Sequence, residues 1–113
     1  ALVEAVAARG PNRAVPQKTF SVVPDVVIDN AVSNRFTVIE ISGLDRPGLL
    51  YELTTAIGKL NLNIASAHIV TFGEKAVDVF YVTDLTGGKV GHAGRQASIR
   101  RSLLELFGIR EAA

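Results

Sequence analysis

The residues best suited to chemistry lie in one stretch, Ile39-Glu40-Ile41-Ser42-Gly43-Leu44-Asp45-Arg46-Pro47-Gly48-Leu49-Leu50. Ile39 and Ile41 alternate with polar neighbours, as a half-buried strand requires. Gly43 permits a bend that a residue with a Cβ resists. Asp45 suits a helix N-cap, because its carboxylate can accept the unpaired amides of a first turn. Pro47 falls near the first helical positions, where its missing N–H costs nothing. A strand-loop-helix of this kind points backbone N–H groups outward at a positive helix end, where a carboxylate or phosphate can bind. The same residues also make a plain strand-to-helix turn, and local chemistry alone favours that turn.

Other reactive side chains form no constellation. His68 and His92 are the only histidines and stand 24 positions apart with no cluster of carboxylates at ligand spacing, which argues against a metal site. His68 reads as a strand residue satisfied by a neighbour, and His92 as part of a flexible loop. Asp78 is set among apolar residues, and is expected either to pair across a sheet or to face solvent. Serines and threonines are scattered without a paired base, so nucleophilic catalysis lacks support. Gly87-Gly88-Lys89 lacks the frame of a phosphate loop. Arg95, Arg100 and Arg101 read as a solvated helix face. Phe36 and Tyr81 are too few for the stacking platform of an RNA-binding sheet.

These residues must be positioned by short elements. An Ala-rich helix tail over 1–9 gives way at Gly10-Pro11-Asn12 to a linker with Pro16, so residues 1–19 are expected to be extended or disordered. Residues 20–30 are β-branched and apolar but interrupted by Pro24, which indicates an edge strand or two short pieces. A turn cluster at 29–34 leads to a strand ending at Ser42. From Pro47 to Leu60, the apolar positions Leu49, Leu50, Leu53, Ala56, Ile57 and Leu60 follow helical spacing. Asn61 is suited to the left-handed turn that ends a helix. Residues 62–72 read as a long strand. Residues 76–83 read as a central strand, apolar on both faces except at Asp78. A second helix runs over 93–107 with Ile99, Leu103, Leu106 and Phe107 inward, and Gly108 stops it.

The order β, β, α, β, β, α belongs to an α+β fold: a ferredoxin-like sandwich with a four-stranded antiparallel sheet and two helices on one face. The segment after the second helix is too short to supply the usual closing strand. The strand near residues 20–29 is expected to replace it at the same edge, leaving the other face free to pair with a partner. The domain therefore spans residues 20–108, with a tail at 109–113.

Composition narrows the function classes. The chain has 113 residues, 48% hydrophobic and 20% charged, with a net charge of +1. That is one domain's worth of chain, with no electrostatic argument for nucleic acid or an anionic membrane. The absence of cysteine removes disulfides, thiolate nucleophiles and cysteine metal sites. No apolar run approaches the ~18 residues of a membrane span, and no signal-peptide pattern opens the chain. A cytoplasmic protein is the expectation. The lack of methionine and the opening Ala-Leu-Val-Glu suggest a piece of something longer.

Leu44-Asp45-Arg46-Pro47-Gly48-Leu49-Leu50, with Asn63-Ile64 opening the next strand, resembles the ACT domain family. Ser66-Ala67-His68-Ile69 and the run Thr71 to Asp84 sharpen the likeness. They resemble the C-terminal ACT repeat of bacterial bifunctional uridylyltransferase/uridylyl-removing enzymes, which modify the P-II nitrogen-signalling protein. Val27-Ile28-Asp29-Asn30 and the Arg-rich last helix fit the same place, so the likeness covers roughly residues 22–107. The nucleotidyltransferase and His-Asp phosphohydrolase motifs of those enzymes are absent from this sequence.

The resemblance implies a regulatory amino-acid sensor, with glutamine as the favoured ligand. It implies ligand-binding residues Leu44, Asp45, Arg46, Pro47, Gly48 and Leu49 in the loop, with Asn63 and Ile64 across an interface. That interface would be formed with a second copy or another ACT repeat. It implies no catalytic residue and no cofactor in this stretch; magnesium would belong to the parent enzyme, and P-II would be met only through it. The missing closing strand departs from the ACT pattern. The rival expectation is a docking or dimerising module without its own ligand, for which the doubly apolar strand speaks.

Overall fold

The computed structural model describes residues 22–111. The expected helix tail and linker over 1–19, and the start of the first strand at 20 and 21, lie outside them. Six elements follow in order: β1 (Asp25–Asp29), β2 (Thr37–Leu44), α1 (Leu49–Lys59), β3 (Leu62–Phe72), β4 (Lys75–Asp84) and α2 (Ala93–Glu105). The strands form one antiparallel sheet in the order β1-β2-β4-β3. The fold is the expected α+β sandwich, and β1 occupies the edge beside β2. Pro24 does not split the strand: pairing begins just after it, at Asp25, where a residue without an N–H no longer interferes.

Alternation along the strands decides which face meets the helices. Val26, Ile39, Ile41, Ala76, Phe80 and Val82 are buried, and they lie in register across β1, β2 and β4. Leu49, Leu53 and Ile57 of α1 and Ile99, Leu103 and Leu104 of α2 close the same core. The opposite face carries Val27, Val70 and Phe72, which are exposed, and Val77, Val79 and Tyr81, which are half-buried. β3 is the second edge, and Ala65 to His68 in its middle are exposed. A register shift between Ile64 and Ser66 marks a bulge there.

A polar network fastens the β1–β2 hairpin to the loop before α2. The fully buried Thr37 hydroxyl donates to Asn30 Oδ1 at 2.6 Å and accepts from the Val90 amide at 2.8 Å. Asn30 Nδ2 and Gln96 Nε2 both donate to the Val90 carbonyl at 2.7 Å. Lys89 Nζ donates to the Asn30 carbonyl at 2.8 Å.

Several local expectations change. The second strand runs two residues past Ser42, so Gly43 is no bend. It lies opposite Ala76 in the sheet, and a Cβ there would come within 2.5 Å of the Phe107 ring. Gly43 therefore provides close approach. Asn61 does end α1 in a left-handed turn at φ 63°. The last helix stops at Glu105, two residues early, and Leu104 joins its buried face. Gly108 closes the following turn at φ 80°, with the Ile109 amide donating to the Leu104 carbonyl at 3.1 Å.

The histidine and arginine readings also sharpen. His92 is the N-cap of α2, its Nδ1 accepting from the Arg95 amide at 3.3 Å, rather than a flexible-loop residue. His68 lies as expected beside neighbours, 3.4 Å from Ser66 Oγ and edge-on to Tyr81. The arginines are not merely a solvated face. Arg95 donates to the Leu60 and Asn61 carbonyls at the end of α1. Arg100 donates to the Val26 carbonyl at 3.0 Å and pairs with Asp25 and Glu111.

Candidate functional site

Residues 44–49 connect the end of β2 to α1. Leu44 is exposed and Asp45 is buried, keeping 9% of its surface open. The Asp45 amide donates to the Glu74 carbonyl at 2.8 Å, which ties the loop to the β3–β4 turn. The chain then turns through Arg46 and Pro47, with the Leu49 amide donating to the Arg46 carbonyl at 3.2 Å. Gly48, at φ 81°, is the N-cap of α1. Asp45 is therefore not the cap: it sits three residues too early. Gly48 has no side chain to cap the first turn of α1, whose Leu49 amide turns back to the Arg46 carbonyl instead.

Arg46 is held on three sides. It pairs with Glu52 on α1, donates to the Leu106 carbonyl at 3.2 Å, and lies over the Phe107 ring at 5.6 Å. Phe107 in turn covers Gly43. The guanidinium thus joins loop, α1 and the end of α2, an arrangement in which movement of any one is felt by the others.

Behind the loop lies a residue that the sequence reading placed wrongly. Asp78 in β4 is 2% exposed, on the helix side of the sheet, level with Ile41 and Ile69. It neither pairs across the sheet nor faces water, and its Oδ1 has no hydrogen-bond partner among the described residues. Burial pushes its carboxyl up to about 6, and the negative charge of Asp45 adds to the rise. Alternation explains its burial: Asp78 lies level with Ile41 and Ala76 level with Gly43, on the face of the sheet that the helices cover. Asp78 broke the apolar run in the sequence, and that break was the signal available.

Within one chain, the structure does not bring Asn63 and Ile64 to the loop. Leu44 is level with Lys75 at the start of β4, whereas Asn63 is level with Thr83 near its end. Eight residues of extended chain separate the two rows, roughly 26 Å at the usual strand rise. Among the described residues, no group of three or more His, Asp or Glu side chains could hold a metal, and no helix is long and apolar enough to cross a membrane.

Comparison with known proteins agrees with this architecture. Residues 37–93 match the ACT domain model. A bifunctional uridylyltransferase/uridylyl-removing enzyme of Bradyrhizobium sp. (strain ORS 278) is 61% identical over 94% of this chain and 11% of its own length. The enzyme of the same name from Rhodopseudomonas palustris is 58% identical over 99% of this chain and 12% of its own. That from Nitrobacter winogradskyi is 60% identical over 86% and 11%. The chain thus spans about a tenth of the length of these relatives. The matched β-α-β-β core, which contains the loop at 44–49, makes the chain a member of the ACT domain family.

Proposed function

We propose that this chain is the regulatory ACT domain of a bifunctional uridylyltransferase/uridylyl-removing enzyme, and that it senses an amino acid, with glutamine the favoured ligand. The observation that carries the reading is the loop itself. A helix start at Gly48 without a side-chain cap, suited to a carboxylate, follows directly on the loop that the family match covers. The carboxylate end of an amino acid therefore has a complement at the start of α1. The high identity to enzymes of that name supports the parentage.

Asn63 and Ile64 join the site only from another copy or another ACT repeat. β3 is an 11-residue edge strand with an exposed centre, open to pairing. If two β3 strands pair antiparallel about a two-fold axis, the start of one lies beside the end of the other. Phe72, at that end, pairs with Lys75, as Leu44 does from the other side. The partner's Asn63 then approaches the sheet end that carries the loop, offering donor and acceptor to a side-chain amide. Ligand bound there favours one pairing over others, and that preference biases attached catalytic domains acting on P-II in the cytoplasm.

Calorimetry of the chain with L-glutamine tests the reading. Saturable heat that Asp45→Ala abolishes is the expected result. Silence from the chain, and equally from a full-length enzyme carrying it, would overturn the ligand assignment. The exposed Val27, Val70 and Phe72 on the open face support a second reading, a docking module without a ligand. That reading predicts self-association with no response to glutamine.

A further inference from the structure

At the opposite end of the sheet from the loop lies a second hollow. Leu44, at the loop, is level with Lys75 at the start of β4, whereas Asp84 at its end is level with Leu62. Leu60, Asn61, Asp84, Leu85, Thr86 and Arg95 line a depression of about 390 Å³ there, a volume within the range of small-molecule sites. Three junctions build it: the turn out of α1, the loop leaving β4 and the first turn of α2.

Two charged side chains in its lining are held by bonds that leave part of each group unused. Arg95 Nη2 donates to the Leu60 carbonyl at 3.0 Å and to the Asn61 carbonyl at 3.1 Å. Asp84 Oδ1 accepts from the Thr86 amide at 2.9 Å, the Thr86 hydroxyl at 2.7 Å and the Gly88 amide at 2.9 Å. Among the described residues, Arg95 Nη1 and Nε and Asp84 Oδ2 make no hydrogen bond, and the two groups form no ion pair with each other. The bonds from Thr86 and Gly88, with a smaller share from the Arg95 charge, hold the Asp84 carboxyl below the ordinary carboxylate range. A guanidinium and a charged carboxylate that line one hollow without meeting match a ligand carrying both opposite charges.

We propose that this hollow binds a free amino acid with an aliphatic side chain, its carboxylate on Arg95, its ammonium on Asp84 and its side chain against Leu60 and Leu85. The pair of charges disfavours simpler ligands. A phosphate or dicarboxylate meets the negative charge of Asp84, and a simple cation meets the positive charge of Arg95. One carboxylate alone does not make a metal site. Leu85 is 61% exposed and Leu60 is half-buried, so an apolar wall stands open, and covering it removes apolar surface from water. A ligand there bridges the end of α1 to the loop before α2, two places that Arg95 already ties together. The site is independent of the loop at 44–49, and neither reading depends on the other.

Amide resonances of the 113-residue chain, followed as L-leucine is added, test the proposal. Saturable shifts at Asn61, Leu85, Thr86, Gly88 and Arg95 are the expected result. 4-Methylpentanoic acid lacks the ammonium and isopentylamine lacks the carboxylate, so each should bind at least about tenfold more weakly. Arg95→Gln, with unchanged circular dichroism, should lose the response. Should that variant not fold, Leu85→Asp, at a side chain already exposed, should lose it by setting a negative charge against the ligand carboxylate. Shifts confined to residues 44–52, or no shifts at all, overturn the proposal. A response that survives in Arg95→Gln or in Leu85→Asp, or equal binding of the acid or the amine, overturns it as well. Failure of the loop reading shows separately, as L-glutamine leaving residues 44–52 unmoved.

Discussion

A carboxylic acid enclosed by aliphatic side chains lowers its free energy either by keeping its proton or by gaining a cation. Asp78 holds its proton to about pH 6 against an ordinary 3.8, so the folded state prefers the protonated form. Stability contributed in this way is present below pH 4 and is lost as pH rises from about 4 to about 6. Asp78→Asn removes that loss. Its unfolding free energy should exceed that of the wild type by about 1–3 kcal/mol at neutral pH and fall level with it below pH 4. Urea denaturation at several pH values measures this. Gly43 presents the opposite case, since its missing side chain is what matters. Alanine there places a Cβ 2.5–3.0 Å from three atoms of the Phe107 ring. Gly43→Ala should cost about 1–3 kcal/mol in the same assay, by displacing the ring on which Arg46 rests. Both effects were hidden in the sequence. Asp78 was visible only as an interruption, and Gly43 suggested a bend because contact with a residue 64 positions away leaves no local trace.

At the scale of elements, β1 is a five-residue edge strand paired in the sheet with β2 alone, and it depends on what holds the turn between them. Thr37 is fully buried, and its hydroxyl links Asn30 to the Val90 amide. Thr37→Val keeps the shape of the residue but leaves that amide and Asn30 Oδ1 without their partner. A loss of about 1–3 kcal/mol is expected. Hydrogen exchange should show β1 and the loop over 85–92 opening together, ahead of β4. The helix ends follow plainer rules. Asn61 and Gly108 sit where their backbone freedom is needed, and both were legible. The start of α1 was not, because Asp45, Pro47 and Gly48 each offered a credible terminus. The tie from the Asp45 amide to the Glu74 carbonyl decided among them.

For the whole molecule the open question is what meets the β3 edge. Ala67 is the central residue of the 11 in β3 and is exposed. In a two-fold antiparallel pair it stands close to its own copy. Ala67→Lys then sets like charges together across the axis. On the proposed β3 pairing, sedimentation should show a dimer for the parent chain and a monomer for the variant at the same concentration, with circular dichroism unchanged. Dimers that survive the lysine would move the interface to the open face of Val27, Val70 and Phe72.

The sequence by itself determined the element order, the sheet with its replaced edge strand, the two core-facing helices and the loop that marks the family. The elements rest on periodicity and turn chemistry read over a few neighbouring residues, and short-range sterics act the same way in any context, whereas the loop is marked by its resemblance to the family. Tertiary structure alone decided which groups share a space. Asp78 is buried against the helices because it lies level with Ile41 in the sheet, and Arg46 spans loop and helices because α2 ends beside it. It also set Asn63 far from the loop within one chain, since the two occupy opposite ends of β4. Distances of this kind depend on how strands pair over long separations, which no local pattern encodes.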